Sequence, residues 1–255
     1  MEHLLKTNKM DIKTFDNKIW TQEEILPLML DDSFYYGYLG KNALSSSSFK
    51  TILKSWEDYQ LEIAGIGPEI PKQALRDGRL IHLAVLEPHR IADLTIIDST
   101  KGSNLFKQAV ADRNEAEVYT TRELKKCMNL ASNVPLDFDA WCLLHQAEFE
   151  LPVIGMIEGL AVRGKADIIK EDGKHIIDLK TTSDASRFEE SIDHWSYDLQ
   201  GALYLRLFDA ERFSFIILDK RTGEVSTREL TPEEIKRGDD KLMKAINVYK
   251  TNTNG

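Results

Sequence analysis

The first half of the chain carries apolar residues at helical spacing. A serine run at 45–48 precedes a stripe of apolar residues spaced three or four apart, namely Phe49, Ile52, Leu53, Trp56 and Tyr59. Serine is a preferred N-cap residue, so this pattern predicts one helix whose aromatic stripe packs in the core. Further helices are predicted at about 72–86, 121–133 and 137–146. The segment DDSFYYGYLGKN, at 31–42, has no regular period and is predicted to be a loop.

The second half of the chain carries short runs that are typical of strands. They are AEFELPVI (147–154), GLAVRGKADII (159–169), HIIDLKTT (175–182), FSFIILD (213–219) and EVSTREL (224–230). A long helix is predicted at about 187–208, and its core stripe is Phe188, Ile192, Trp195, Leu199 and Leu203. A last helix begins after Thr231, with Glu234 at the capping-box position. This order of elements predicts an α/β layered fold with a mixed central β-sheet flanked by helices.

Composition and charge narrow the class of protein. The chain has 255 residues, and 42 acidic against 33 basic residues give a net charge of −9. A uniformly basic nucleic-acid-binding protein is therefore excluded, whereas a local basic groove is not. Cys127 and Cys142 are too few for a disulfide framework or a four-cysteine iron–sulfur cluster and favour a reducing compartment. The sequence has no signal-peptide core and no apolar run of roughly 20 residues, so we expect a cytoplasmic protein.

The strand HIIDLKTT places two opposite charges on one face, because strand side chains alternate and Asp178 and Lys180 are two apart. The preceding Asp172-Gly173 dipeptide is a strong signal for a two-residue hairpin loop. If these two residues form the loop, Asp167 lies directly opposite Asp178, and Lys165 lies opposite Lys180.

Two facing carboxylates repel each other unless a positive charge lies between them. One interpretation is a charged sheet face that points to solvent. The other is a divalent cation such as Mg²⁺ bound by both carboxylates, with Lys180 beside it to orient or activate a water. His82 lies on the apolar face of the helix at 72–86. Taken alone, it is more typical of a hydrogen-bonded core histidine.

The motif GKAD, followed eleven residues later by DLK, resembles the metal site of the PD-(D/E)XK nuclease superfamily. More specifically, the chain resembles RecE-type (exonuclease VIII-like) exonucleases of phages and prophages. The stretches that carry this resemblance keep the family's order between residues 44 and 205. They are LSSSSFKTILKSWEDY, GRLIHLAVLEP, AEFE, GLAVRGKADII, IIDLKTTSDASRFEESI and YDLQGALYL. The resemblance implies a PD-(D/E)XK, restriction-endonuclease-like α/β core.

The resemblance also implies roles for single residues. Asp167, Asp178 and Lys180 become the catalytic centre, with both aspartates as metal ligands. His82 becomes a metal-site residue instead of a core histidine. The remaining implied site residues are Gln200 and Tyr204 on the helix after the hairpin, Glu148 as a metal ligand with Glu150 as its substitute, and Arg163, Lys165 and Arg187 as DNA-binding residues.

The function implied by the resemblance is Mg²⁺-dependent hydrolysis of linear duplex DNA from its ends, with Mn²⁺ as an alternative ion, in the cytoplasm of a bacterial host cell. It further implies 5′→3′ digestion, a ring-shaped homo-oligomer, and a single-strand annealing recombinase as partner in phage-type recombination. A nicking or structure-specific endonuclease and a catalytically silent DNA-binding protein are the alternatives. We expect one nuclease domain over 1–255, with an irregular segment at 1–43, a mainly helical part at 44–146 and the catalytic sheet and helices at 147–250.

Overall fold

The computed structural model describes residues 11–66, 73–113, 117–170 and 173–253. The strands are β1 (Ile12–Lys13), β2 (Ile19–Trp20), β3 (Thr95–Ile97), β4 (Val118–Thr120), β5 (Glu148–Ile157), β6 (Leu160–Lys170), β7 (His175–Thr182), β8 (Arg212–Asp219) and β9 (Val225–Glu229). The helices are α1 (Gln22–Leu28), α2 (Leu39–Asn42), α3 (Ser46–Lys54), α4 (Trp56–Ile63), α5 (Gln73–Leu86), α6 (Asn104–Asp112), α7 (Thr121–Ala131), α8 (Phe138–Leu144), α9 (Phe188–His194), α10 (Tyr197–Phe208) and α11 (Pro232–Thr253).

A five-stranded mixed sheet forms the centre of the fold, in the order β5-β6-β7-β8-β9. β7 and β8 are parallel, because α9 and α10 connect them across one face of the sheet, and the other neighbours are antiparallel. Each face of the sheet is covered by helices. The α/β fold with a mixed central sheet, predicted from the sequence, is thus confirmed.

The two faces of the sheet bury separate hydrophobic cores. On one face, Ile176 of β7 packs in a core with residues of α3, α9, α10 and α11. On the other face, its neighbour Ile177 packs with residues of α5, α7 and α8. We call these the α10 face and the α5 face. Successive side chains of β7 point to opposite faces, and both faces are buried, which explains why the strand is nearly continuous in apolar residues.

The hairpin register agrees with the prediction. Lys170 pairs with His175, and the ladder continues to Ile168 and Ile177, as a loop at 172–173 requires. Residues 171 and 172 themselves lie outside the described part of the chain, as does the predicted start of a helix at residue 72. The ladder between β6 and β7 stops at the Ile168–Ile177 pair, so the predicted pairings of Asp167 with Asp178 and of Lys165 with Lys180 are wrong.

Two helices that were predicted as single are interrupted. Ser55 has an extended backbone and caps α4 by accepting from the Asp58 N–H, so the serine-capped helix ends at Lys54. Ser196 adopts a left-handed φ of 50° between α9 and α10. This break turns Trp195 outward, where it is 57% exposed, and the prediction that it packs in the core is wrong.

The segment at 31–42 is helical, so the predicted loop and the predicted irregularity of the first 43 residues are wrong over this stretch. A π-helix at Ser33–Tyr38 runs into α2 and buries Tyr35 and Leu39. These side chains pack with α1, β1 and one end of β5 and β6 in a third core. The predicted division of the chain into a mainly helical part at 44–146 and a catalytic part at 147–250 stays a prediction. In the parts of the chain that the structure covers, no helix has the length and apolar character needed to cross a membrane.

Candidate active site

At Glu150, the side chains of β5 switch from one face of the sheet to the other. Leu151 packs against the α10-face core, whereas Phe149 packs against the α5-face core, so regular alternation fails between them. Glu150 has a left-handed φ of 53°, which is uncommon outside glycine and reverses the direction of the side chains that precede it. Glu148 and Glu150 consequently do not share a face, although they are two residues apart.

β6 changes face at the corresponding position. Ala166 belongs to the α10-face core and Ile168 to the α5-face core, with Asp167 between them. The flanking pairs of β5 and β6 place Asp167 directly opposite Glu150. An oxygen of the Asp167 carboxylate accepts the backbone N–H of Leu179 in β7 at 2.9 Å, just beyond the last pair of the hairpin ladder. The side chain thus satisfies a backbone donor where the two strands stop pairing.

His82, Glu150 and Asp167 form a cluster suited to a metal ion. One ligand atom of each residue lies within 4.8 Å of the others, and Nδ1 of His82 is 3.5 Å from Oδ2 of Asp167. His82 comes from α5, which passes close to β7 because Gly78 has no side chain. A Cβ there would lie 3.3 Å from Oγ1 of Thr181. The cluster lines a cleft of about 830 Å³.

The cluster favours a bound cation electrostatically. Burial raises the pKa of Asp167 to about 8, and the nearby charge of Asp178 adds to this effect. Burial likewise raises the pKa of Glu150 to about 7, with a further contribution from Asp167, and lowers the pKa of His82. Crowded carboxylates of this kind are stabilised when a divalent cation lies between them, and hard oxygen ligands suit Mg²⁺ and Mn²⁺. The residues present therefore fit a divalent metal.

Asp178 and Lys180 lie on the α10 face and have different partners from Asp167. Nζ of Lys180 is 2.7 Å from Oδ2 of Asp178, and the amide nitrogen of Gln200 donates to Oδ1 of Asp178 at 2.6 Å. Lys180 also donates to the amide oxygen of Gln200 at 3.3 Å and lies 4.6 Å from the ring centre of Tyr197. Burial opposes the charge of Lys180, but Asp178, Tyr197 and Asp167 together outweigh this effect and raise the lysine pKa.

The predicted four-member ligand set is thus divided in the structure. Asp178 lies outside the cluster of His82, Glu150 and Asp167, although its charge acts on Asp167. Glu148 is exposed at the start of β5, and Glu150, the alternative from the sequence, takes the place in the cluster. The reason is the left-handed backbone of Glu150, which the sequence pattern does not reveal.

The geometry can be compared with known proteins. A family model described as a PDDEXK-like domain of unknown function (DUF3799) matches residues 45–250. The chain belongs to this family. Its PD-(D/E)XK fold and its membership of that nuclease superfamily, both expected from GKAD and DLK, are confirmed.

One solved structure with a similar fold supports this assignment of the fold. A candidate exonuclease from Eubacterium rectale is 15% identical, with a TM-score of 0.64 over 86% of this chain and 85% of that chain. A phage-related exonuclease from Haemophilus somnus 129PT is also 15% identical over 82% of this chain and 94% of that chain, but its TM-score of 0.35 is too low to indicate a shared fold. At these identities the likeness concerns the fold alone. The comparison with curated proteins found no match.

Gln200 and Tyr204 share one face of α10 in this PD-(D/E)XK protein, but only Gln200 reaches the Asp178–Lys180 pair. The Tyr204 hydroxyl donates to the backbone carbonyl of Lys165 at 3.1 Å, and its side chain is buried. Its ring also lies 3.1 Å from where a Cβ on Gly164 would be. Tyr204 therefore holds β6 two residues before Asp167 and does not contact Lys180 or the metal cluster.

The three predicted DNA-binding residues occupy different environments. Lys165 lines the metal cleft and lies 3.4 Å from an oxygen of Glu150. Arg163 is only 8% exposed and its guanidinium lies 4.4 Å from the ring centre of Tyr35. Arg187 is exposed beyond the end of β7 and pairs with Glu190 at 2.7 Å. Lys165 is thus the member of this set that is placed beside the metal cluster.

Two further residues, Lys50 and Tyr197, lie at the Asp178–Lys180 pair and were not predicted from the sequence. Lys50 of α3 donates to the amide oxygen of Gln200 at 3.2 Å, and Tyr197 lies under the ammonium groups of both lysines. Tyr197 could have been found, since it is three residues before Gln200 and so lies on the same helical face. Lys50 belongs to the LSSSSFK stretch, but no local pattern indicates that α3 crosses to α10.

Proposed function

We propose that this protein is a divalent-metal-dependent deoxyribonuclease that digests linear duplex DNA from its ends. The observation that carries the proposal is the meeting of two groups at one end of the sheet. The cluster of His82, Glu150 and Asp167 offers ligands for a cation, and the Asp178–Lys180 pair supplies a carboxylate and an ammonium group next to it. Membership of a PD-(D/E)XK family supports a nuclease assignment.

The residues of the chain divide the work of phosphodiester hydrolysis between them. A bound divalent ion would neutralise the phosphate and lower the pKa of a bound water. His82, Glu150 and Asp167 would hold this ion. Asp178, which pairs with Lys180, could serve as a further ligand if its carboxylate contacted both the ion and the lysine. Lys180 would orient or activate the attacking water. Gln200, which contacts both Asp178 and Lys180, keeps this pair in place.

The finer assignments rest on the resemblance to RecE-type exonucleases. We propose Mg²⁺ as the ion, with Mn²⁺ as the alternative, 5′→3′ digestion, and a role in phage-type recombination beside a strand-annealing recombinase. A ring-shaped homo-oligomer would keep the enzyme on DNA by topology. This accords with a net charge of −9, which supplies no overall attraction for DNA.

The decisive experiment compares end-labelled linear duplex DNA with relaxed, covalently closed circles, in Mg²⁺ and in EDTA. We expect Mg²⁺-dependent loss of the linear substrate, with closed circles left intact. Asp167→Ala and Lys180→Ala should abolish the reaction in folded protein. Cutting of circles and linear DNA at similar rates would replace the exonuclease by the endonuclease alternative, and no cutting of either would favour a catalytically silent DNA-binding protein.

A further inference from the structure

A second lysine lies on the α10 face beside Lys180. Lys50 and Lys180 both donate to the same oxygen of Gln200, at 3.2 Å and 3.3 Å, so two ammonium groups share one neutral acceptor. Both also lie over the ring of Tyr197, at 5.2 Å and 4.6 Å from its centre. Two like charges at such close range repel, and the folded protein gains only weak contacts in return.

The partners of the two lysines differ in charge. Lys180 has the carboxylate of Asp178 at 2.7 Å. Within the described ranges, Lys50 has no carboxylate at ion-pair distance, and its contacts are the amide oxygen and the aromatic ring. The α10 side of the site thus holds two ammonium groups against the one carboxylate that contacts them.

A cation that is partly buried without an anionic partner is unfavourable for the fold on its own. Burial lowers the pKa of Lys50 to about 7, and the charge of Lys180 acts in the same direction. Groups of this kind are frequent at sites where a ligand supplies the missing charge. Lys50 and Lys180 are both partly exposed, so an anion can approach them from solvent.

We propose that Lys50 binds a phosphate of the nucleic-acid strand held at Lys180. The inference rests on the proposed function, because it takes DNA as the anion. The alternative is a purely structural lysine that orients the amide of Gln200. Lys180 already donates to that oxygen and Asp178 already accepts from the amide nitrogen, so the orientation of Gln200 is determined without Lys50.

The test measures DNA binding as a function of salt. Asp167→Asn serves as the background, since it should prevent cleavage and remove one repulsive charge. Anisotropy of an end-labelled duplex is followed across a KCl series for the background alone and with Lys50→Met, Lys50→Arg or Lys54→Met added. Lys54 is the matched control, because it lies one turn later on α3, is exposed and pairs with Asp58 at 3.3 Å.

We expect Lys50→Met to bind about tenfold more weakly, as for the loss of a charged hydrogen bond. The slope of log K against log salt should become smaller by about 0.9, the contribution of one phosphate contact on duplex DNA. Lys50→Arg should keep the slope, and Lys54→Met should behave as the background. The melting temperature of Lys50→Met should be equal to or higher than that of the background protein, because the substitution removes a charge that has no carboxylate partner.

Other results would overturn the proposal. An unchanged slope and affinity in folded Lys50→Met would show that no phosphate contacts Lys50. A marked loss of stability, or failure to fold, would identify a structural lysine. An equal loss of slope in Lys54→Met would reduce the effect to general surface charge. If the background protein has no affinity for DNA at any salt concentration, the proposed function fails, and this inference fails with it.

Discussion

Replacing Asp167 by asparagine should stabilise the metal-free protein. Its pKa is raised to about 8 from an ordinary 3.8, so the folded state holds a proton that the unfolded chain releases. One pKa unit corresponds to about 1.4 kcal/mol, which gives an upper limit of roughly 6 kcal/mol at pH 9. Since the effect is shared with Asp178 and Glu150, we expect about 2–4 kcal/mol. The asparagine oxygen can still accept the Leu179 N–H.

The assay is thermal melting from pH 4 to pH 9 in EDTA and in Mg²⁺. In EDTA the wild type should lose stability as the pH rises from about 4 to about 8, and Asp167→Asn should lose less. At pH 9 the variant should melt roughly 5–15 °C higher. Saturating Mg²⁺ should stabilise the wild type and remove this advantage. Glu148→Gln, an equal change of charge at an exposed position, is the control. A variant that is less stable than the wild type in EDTA at pH 9 would refute the repulsion argument.

Three further predictions concern single positions. Glu150→Gln should weaken Mn²⁺ binding in calorimetry while Glu148→Gln binds as the wild type does, and equal effects would contradict the assignment of Glu150 to the cluster. His82→Ala should strongly reduce cleavage but lower the free energy of unfolding by less than about 1 kcal/mol, because the His82 side chain is 30% exposed. A large loss of stability in urea unfolding, with normal turnover, would instead support a core histidine. Gly238→Ala should destabilise by about 3 kcal/mol or more, since its Cβ would overlap a backbone carbonyl oxygen in the first turn of α10, whereas Gly102→Ala, with open space around it, should not.

Local patterns in the sequence predicted those parts of the fold that local chemistry determines. The Asp172-Gly173 dipeptide predicted the hairpin register, and the pairs from Lys170–His175 to Ile168–Ile177 agree with it. The capping box at the start of α11 is present, with Thr231 and Glu234 bonded in both directions. In each case the residues that determine the geometry are neighbours in the chain, so the pattern suffices.

Features that depend on a single unusual backbone conformation were not predictable. Glu150 and Ser196 both have φ near 50°, a region that residues other than glycine rarely adopt and that no composition signal marks. Each shifts the side chains beside it onto another face, which exchanges Glu148 for Glu150 at the site and exposes Trp195. Conformations of this kind persist only where the surrounding structure stabilises them, and a local sequence pattern does not contain that information.

The strand HIIDLKTT carries opposite charges on its α10 face because Asp178 and Lys180 pair with each other there, and the strand also lies between two electrostatic environments. On the α5 face its neighbours are the acidic cluster of Glu150 and Asp167, and on the α10 face Asp178 is contacted by Lys180 and is near Lys50 through Gln200. The first environment favours a cation and the second an anion. In the proposed function, the residues of the first environment would hold a cation that neutralises a phosphodiester, and the lysines of the second would contact its charge. A net charge of −9 over the whole chain therefore does not exclude the local attraction for DNA that the proposed function requires.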